Sequence, residues 1–166
     1  IDLLLAFPFL LLAVMIASVM GPGIMSVMVA LGSISWLRFA RVTRGEVLSV
    51  KSEEYFEAAR ATGANHLRII IRHILPNCMA PVIVLATLRL ATAVIAAASL
   101  SFLGMGVQPP TPAWGAMLNN AQEYLRSAWW YAFFPGIAIV ILVLGMNFIG
   151  DGLRDALDPK MSAQGK

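Results

Sequence analysis

The sequence predicts an all-α, polytopic membrane protein whose helices form one transmembrane domain over residues 1–166. Two observations carry this prediction. Apolar residues make up 59% of the 166 residues and charged residues only 13%, whereas an ordinary soluble domain has about 25% charged residues. The apolar residues also occur in long uncharged runs, and about 20 such residues let a helix cross a hydrocarbon core of about 30 Å. A soluble enzyme is therefore disfavoured, and the clustered basic residues do not favour nucleic-acid binding.

Four stretches predict transmembrane helices. The first and fourth contain no charged residue, the third contains only Arg89, and the second is marginal in length and slightly polar. Gly21-Pro22-Gly23 places a turn after the first stretch, which argues against a signal peptide. Buried helices of a large soluble protein are the alternative, but such helices rarely run this long without a polar face. The predicted spans are residues 3–20, 21–37, 79–103 and 128–149.

Lysine and arginine are distributed unevenly among the connections between these spans. Most of them lie in the connection 38–78, several follow the last span in the tail 150–166, and the connection 104–127 contains only Arg126. Positively charged connections stay on the cytoplasmic side of a membrane. We therefore expect the connection 38–78 and the tail to be cytoplasmic and the connection 104–127 to be external.

The cytoplasmic connection predicts two helices separated by a bend. Ser52 is a plausible cap for a first helix that should run from Glu53 to about Thr62. Gly63 supplies the left-handed residue that commonly ends a helix. Asn65 can then cap the second helix.

The second predicted helix is amphipathic. Its apolar residues share one stripe at helical spacing, and Leu75-Pro76-Asn77 should end it, because the residue before a proline avoids the helical conformation. We therefore expect this helix to lie along the membrane surface before the third span. The stripe consists of Leu67, Ile70, Ile71 and Ile74.

The first predicted helix has the composition of a docking helix. Ala58 and Ala59 expose little side chain, so that a partner can approach the backbone closely, and Tyr55 and Phe56 offer aromatic anchors of the kind that dominate interfaces. The alternative is a solvated loop in which Glu57-Ala58-Ala59 is merely a good helix former.

At these residues the sequence resembles the membrane subunits of ATP-binding-cassette importers, whose cytoplasmic loop carries Glu-Ala-Ala-x-x-x-Gly and, further on, Ile-x-Leu-Pro. Two other stretches, SLSFLGMGVQPPTPAWG at 99–115 and GDGLRDALDPK at 150–160, are similar to the peptide and nickel subfamily. One departure is His73, which occupies the usual apolar position, with Ile74 displaced by one residue. The matching loop positions are Glu57, Ala58, Ala59, Gly63, Leu75 and Pro76.

The resemblance implies a permease subunit that translocates small peptides or a related solute, such as a nickel chelate, across the plasma (inner) membrane of a prokaryote. Separate cassette ATPase subunits would bind and hydrolyse ATP, since this sequence has no G-x-x-x-x-G-K-[ST] phosphate loop. A second related permease subunit and an extracytoplasmic solute-binding protein are the other implied partners. Two further spans and an external segment would precede Ile1. The chain itself would hold no catalytic residue, cofactor or metal.

The resemblance also implies roles in coupling. Glu57 would hold the docked helix through a polar or ionic contact, Ala58 and Ala59 would set its depth, and Gly63 would fix the bend. Motion of the ATPase subunits would then pass through the connection into the third and fourth spans.

Arg89 is the charged residue within a predicted span. It lies about 12 Å into the third span counted from Pro81, at 1.5 Å per residue. A charge within the membrane is expensive and marks a functional hypothesis, here a position on the translocation path. The alternative, equally open, is that this long side chain extends back to the headgroups.

The external connection contains Pro109, Pro110 and Pro112, which stiffen it, and then Trp114. We expect it to contact the solute-binding protein or to cover the external opening of the path. A plain loop is the open alternative.

Other chemistry finds less support. His66 and His73 lack a third ligand and the H-E-x-x-H spacing of a metalloprotease, and Asp151, Asp155 and Asp158 are typical of a solvated tail. An ion-coupled secondary transporter is the alternative function, but it needs carboxylates or broken helices at the midplane. A membrane-embedded enzyme would need paired catalytic groups within the spans.

Overall fold

The computed structural model describes residues 7–54, 56, 61, 63 and 65–157, and all regular secondary structure in that part of the chain is helical. The predicted all-α class is therefore confirmed. A π-helical turn comprises Ile70–Ile74, and a 3₁₀ turn comprises Gln122–Tyr124. The α-helices with described bounds are α1 (Phe9–Met20), α2 (Ile24–Lys51), α3 (His66–Ile69), α4 (Leu75–Phe102), α5 (Trp114–Ala121) and α6 (Trp130–Leu157).

Three helices in the described part of the chain are long and apolar enough to cross a membrane. They are α2, the continuous run His66–Phe102 and α6, with 28, 37 and 28 residues, or about 42, 55 and 42 Å at 1.5 Å per residue. Helix α1 is apolar but has 12 residues. The first part of the predicted span 3–20 lies outside the described residues, so the count of four spans stays a prediction.

Helix α2 extends well beyond the predicted span 21–37. It continues to Lys51, so the first third of the predicted cytoplasmic connection is the end of a membrane helix. No proline interrupts residues 38–51, and Gly45 alone is a weak helix former there. The change from apolar to charged side chains at Arg38 therefore marks where polar surroundings begin and not where the helix ends.

The sequence predicted that the amphipathic helix ends at Pro76. This prediction is wrong, because α3, the π turn and α4 form one continuous run. Proline lacks an N–H and its ring crowds the carbonyl four residues earlier. The wider π turn lies directly before it, and the N–H of Leu75 donates to the carbonyl of Ile70, five residues back. Asn77 adds a side-chain hydrogen bond from Nδ2 to the carbonyl of His73 at 2.6 Å.

The described chain divides into two compact units. Unit 1 contains the described residues up to Leu37 together with Arg89–Asn147, and unit 2 contains Arg38–Leu88 together with the described residues from Phe148 on. Each unit has its own cluster of buried apolar side chains.

The core of unit 1 combines small and branched side chains. Ala13 of α1 and Ala30 of α2 are fully buried and pack in one cluster with Val27, Ile34 and Leu100. Alanines let helix backbones approach closely, which is how helices in a membrane gain van der Waals contact. Leu100 is the largest fully buried side chain among the described residues.

Helix α4 ends in unit 1 at a left-handed glycine. Gly104 has φ +81°. Its N–H donates to the carbonyl of Ser101 at 3.1 Å, and the N–H of Met105 donates to the carbonyl of Leu100 at 2.9 Å. These two bonds form a Schellman motif, which satisfies carbonyls that have no partner inside the helix.

Helix α5 packs against this end of α4. Asn119 donates a hydrogen bond from Nδ2 to the carbonyl of Phe102 at 2.6 Å. Gly115 leaves no room for a side chain, because a Cβ at that position would collide with the carbonyl oxygen of Ala98. The predicted external connection is therefore ordered structure along residues 114–121 and not a plain loop.

The core of unit 2 is smaller. Its buried side chains are contributed by the end of α2, by the region of the bend and by the run that leads into α4. They are Val50, Phe56, Ile69, Ile74 and Cys78, with Val47 packed against them.

Candidate functional site

The candidate site is the bend of unit 2, residues 52–77, where the sequence predicted a docking helix. Gly63 has φ +77°, as its predicted role in a left-handed bend requires. It is exposed, and no heavy atom lies within 4 Å of the position that a Cβ would occupy. The glycine is thus needed for its backbone conformation and not for lack of space.

The two predicted caps behave differently from the prediction. The hydroxyl of Ser52 donates to the carbonyl of Ser49 at 2.7 Å, and the first turn after it is closed by the N–H of Phe56 donating to the carbonyl of Glu53. Asn65 does precede α3, and its carbonyl accepts from the N–H of Ile69 at 3.0 Å, but its side chain makes no capping hydrogen bond in the described structure.

Phe56 is 9% exposed and packs in the buried cluster of unit 2. Its ring therefore packs inside unit 2 in the described structure, and its predicted role as an interface anchor stays a prediction. The ring instead attaches the beginning of the bend to Ile69 and Ile74 on the far side of Gly63. The other predicted positions of this helix, Tyr55, Glu57, Ala58 and Ala59, lie outside the described residues.

The predicted apolar stripe is divided by the π turn. Ile74 is buried, whereas Leu67, Ile70 and Ile71 are exposed, and Ile69 takes the second buried position. A π turn contains one residue more than an α turn, so positions on either side of it no longer follow the α-helical stripe. Leu75 and Pro76, the last two loop positions of the motif, are exposed at the start of α4.

Arg89 is half-buried on α4. It shares a helix face with Ala96 and Leu100, seven and eleven residues further on, and both of these are buried. Within the part of the chain that the structure describes, its guanidinium has no hydrogen-bond or ion-pair partner. A partly desolvated cation on a protein-facing stripe needs an acceptor.

Sequence reasoning missed the glycines that pack at the C-terminal end of α4, which the predicted topology places outside the membrane and which is therefore named the external end. A Cβ at Gly106 would collide with the side chain of Ser101, and one at Gly115 would collide with the backbone of α4. The motif SLSFLGMG contains both Ser101 and Gly106, but spacing alone does not reveal which glycines are required by close contact.

No metal site is formed by the described residues, among which no group of three His, Cys, Asp or Glu side chains converges. Cys78 is a free, buried thiol.

Comparison with known proteins identifies the family. The family described as the inner membrane component of binding-protein-dependent transport systems matches residues 1–163. The di/tripeptide transport system permease protein DppC of Pseudomonas aeruginosa (strain UCBPP-PA14) is 49% identical over 160 residues, 96% of this chain and 53% of that protein.

Two further relatives are similar to this chain at nearly the same sequence identity. The dipeptide transport system permease protein DppC of Alkalihalophilus pseudofirmus is 48% identical over 162 residues, 98% of this chain and 53% of that protein. The glutathione transport system permease protein GsiD of Escherichia coli O1:K1 / APEC is 49% identical over 160 residues, 96% of this chain and 53% of that protein. The chain spans about half the length of these relatives. Because the family match extends over nearly every residue, the chain belongs to the inner membrane components of binding-protein-dependent transport systems.

Proposed function

We propose that the protein is the permease subunit of an ATP-binding-cassette importer that moves small peptides, or a related solute, across the plasma membrane of a prokaryote. The observation that carries the proposal is the family match over residues 1–163. The names of the relatives, which refer to dipeptides, di/tripeptides and glutathione, support a peptide-like solute. The three long apolar helices support residence in a membrane.

The proposal includes three kinds of partner. Separate cassette ATPase subunits hydrolyse ATP, since residues 1–166 contain no G-x-x-x-x-G-K-[ST] phosphate loop. The proposal assigns no catalytic residue and no cofactor to the chain itself. A second, related permease subunit completes the path, and an extracytoplasmic binding protein delivers the solute, in agreement with the description of the family as binding-protein-dependent.

Coupling is proposed to occur at the bend of unit 2. Glu57, Ala58 and Ala59 dock in a groove of the ATPase subunit, and Gly63 directs that helix away from the run that follows. The run from His66 to Phe102 is continuous and about 55 Å long at 1.5 Å per residue. We therefore expect a displacement applied next to Gly63 to pass into a continuous helix that is long enough to cross the membrane.

The bend is tested by Gly63→Val in the full-length subunit, assembled with its partners. A β-branched residue resists φ +77°, at a cost of about 1–2 kcal/mol, although no neighbouring atom obstructs it. We expect peptide uptake to fall by at least tenfold while the membrane level of the subunit stays near normal. Gly63→Asn is the matched control, because asparagine tolerates the left-handed region, and it should retain most of the uptake. Equal uptake by the unsubstituted subunit, Gly63→Val and Gly63→Asn would show that transport does not require the left-handed bend.

The docking contact is tested by charge reversal. Glu57→Lys should reduce copurification of the ATPase subunits, or leave their ATP hydrolysis independent of solute. Glu54→Lys, at an exposed carboxylate three residues earlier, is the control for the change in net charge. If both variants keep the ATPase bound and coupled, Glu57 has no part in docking.

Arg89 is proposed to contact the translocation path. Arg89→Leu replaces the charged side chain by a shorter apolar one, and we expect it to lower uptake without loss of the subunit from the membrane. Arg89→Lys keeps the charge but not the two-pronged geometry of the guanidinium, so it should recover part of the uptake. Unchanged uptake of several peptides in Arg89→Leu would assign the residue to the headgroups instead.

A further inference from the structure

Arg89 lies at the middle of α4, far from both ends of the helix. It is the fifteenth of the 28 residues of Leu75–Phe102, so that about 20 Å of helix extends on either side of it at 1.5 Å per residue. Between Arg72 and Glu123 the sequence contains no other Asp, Glu, Lys or Arg. The charge therefore stands alone in an apolar segment that is long enough to cross a membrane.

The face of α4 that carries Arg89 is closely packed towards the end of the helix and more open at Arg89 itself. Leu100 and Ala96 on this face are 0% and 5% exposed, and Leu100 packs in one cluster with Ala30 and Ile34 of α2. Arg89, which lies on the same face seven residues before Ala96, is only partly buried. The guanidinium is therefore held on the packed side of α4 and is still accessible to a small molecule.

The guanidinium has no acceptor among the described residues, which offer it neither a hydrogen bond nor an ion pair. The one acidic side chain in the described part of unit 1 is that of Glu123, in the 3₁₀ turn Gln122–Tyr124. Charged side chains within membrane helices pair with a counter-charge or mark the path of a substrate. The counter-charge of Arg89 therefore has to come from outside the described residues of unit 1.

We propose that Arg89 binds the C-terminal carboxylate of the transported peptide. The inference rests on the proposed function, which makes the solute a small peptide. An α-carboxyl group has a pKa of about 3.3–3.7, so every peptide with a free C-terminus carries this negative charge at neutral pH, whatever its side chains are. Arginine presents two parallel N–H groups that match the two oxygens of a carboxylate. Arg89 would thus recognise the group that such solutes share and leave their side chains unselected.

The partial exposure of Arg89 suits a contact that forms and breaks in each transport cycle. An ion pair that stays in contact with water is weak, whereas a fully buried charge is strongly destabilised when its partner leaves. A solute on a translocation path has to be released again, so a guanidinium that is only partly desolvated can bind the carboxylate and then return to water.

The inference is tested by comparing uptake of a dipeptide with uptake of its C-terminal amide, by the full-length subunit assembled with its partners. The two solutes have nearly the same size, and only the acid carries the carboxylate. The same binding protein delivers both solutes to every variant. Its own preference therefore cancels when the ratio of acid uptake to amide uptake is compared between variants.

Arg89→Gln should lower uptake of the acid about fivefold, the effect of losing one partly exposed ion pair, and leave uptake of the amide nearly unchanged. Arg89→Lys keeps the charge and should retain most of the preference. Arg154→Gln, the same change at an exposed arginine near the end of α6, is the matched control and should keep the ratio of the unsubstituted importer.

Two outcomes contradict the inference in distinguishable ways. Equal losses of acid and amide uptake in Arg89→Gln would overturn the assignment of the carboxylate and leave the proposed function standing. Uptake of neither solute by the unsubstituted importer would overturn the proposed function and this inference with it.

A photo-crosslinking residue at Ala93 identifies what lies beside Arg89. Ala93 is one turn further along α4 and is partly exposed. Illumination during uptake of a radiolabelled dipeptide should give a peptide adduct at Ala93, and the same residue at Ile95, which is exposed on another face of α4, should give little. Cross-links from Ala93 to protein alone would show that a protein group occupies this place and would overturn the inference. This experiment decides if the unsubstituted importer takes up too little amide to measure.

Discussion

The segments that come before and after α4 in the chain each require a glycine, but for different reasons. At the external end, in unit 1, Gly115 is required because a Cβ would collide with the carbonyl oxygen of Ala98. At the bend of unit 2, Gly63 is surrounded by open space and is required for its left-handed backbone. The first arrangement leaves no freedom to move, since close-packed interiors do not deform continuously. The second leaves a surface that a partner can approach, which is what a docking element needs.

The same contrast appears in the packing of side chains. The external end of α4 contains Leu100, 0% exposed, and its last carbonyls accept hydrogen bonds from Gly104, Met105 and Asn119. The start of α4 follows a π turn and exposes Leu75 and Pro76. We therefore expect substitutions at the external end, and at the buried side chains of unit 2, to change stability, and substitutions at the exposed positions of the bend to change coupling with smaller effects on stability.

The largest expected effect is that of Leu100→Ala. Removal of a fully buried leucine leaves a cavity and should destabilise the subunit by about 4 kcal/mol, which thermal unfolding in detergent would measure. Leu103→Ala, at a side chain that is 52% exposed, should change the midpoint little. Similar midpoints for the two variants would contradict the view that this end is the packed one.

Phe56→Ala should have the next largest effect, about 3 kcal/mol, because its ring is part of the small core of unit 2. Amide hydrogen exchange should show the loss of protection concentrated in residues 47–78. Phe56→Leu should retain most of the stability. An unprotected bend in the unsubstituted protein, or no effect of Phe56→Ala, would mean that the ring is not held by this cluster.

Gly115→Ala tests the close contact between α5 and the backbone of α4 by adding a single methyl group. The added methyl group collides with backbone, which cannot rotate away, so we expect a loss of about 2 kcal/mol and a reduced level in the membrane. Gly145→Ala is matched, since it adds the same atom inside a helix with nothing within 4 Å, and it should be neutral or slightly stabilising. The difference between the two midpoints measures the contact alone.

Gly104→Ala should have the smallest effect, about 1 kcal/mol, because only the left-handed backbone opposes it. Unlike Gly63→Val, it should leave uptake unchanged at a temperature where the subunit is folded. Thermal unfolding and uptake measured on one preparation would check both statements. Loss of uptake in the folded Gly104→Ala variant would show that the external end takes part in the conformational change of transport.

Several features were predictable from the sequence because they depend on local composition. The all-α class and the long membrane helices follow from the length of the apolar runs, and the left-handed bend follows from Gly63 between two helix-forming segments. Each of these requires information from only a few neighbouring residues.

The incorrect predictions share a cause, which is that tertiary packing or helix continuity overrode a local signal. Pro76 signals a helix end, but the π turn before it lets the helix continue. Arg38 begins a charged stretch, but charge does not stop a helix that has left the membrane. Gly115 could not be recognised, since its requirement comes from the backbone of Ala98.

The π turn at Ile70–Ile74 has a consequence for how this segment tolerates changes in length. In a straight α-helix, one inserted residue rotates everything beyond it by about 100°. A π turn holds one extra residue within a single turn, so the register of α4 relative to the membrane is kept. The displacement of the apolar residue from position 73 to Ile74 falls inside this turn. Deletion of one residue there should therefore restore a regular α-helix and leave the orientation of α4 intact.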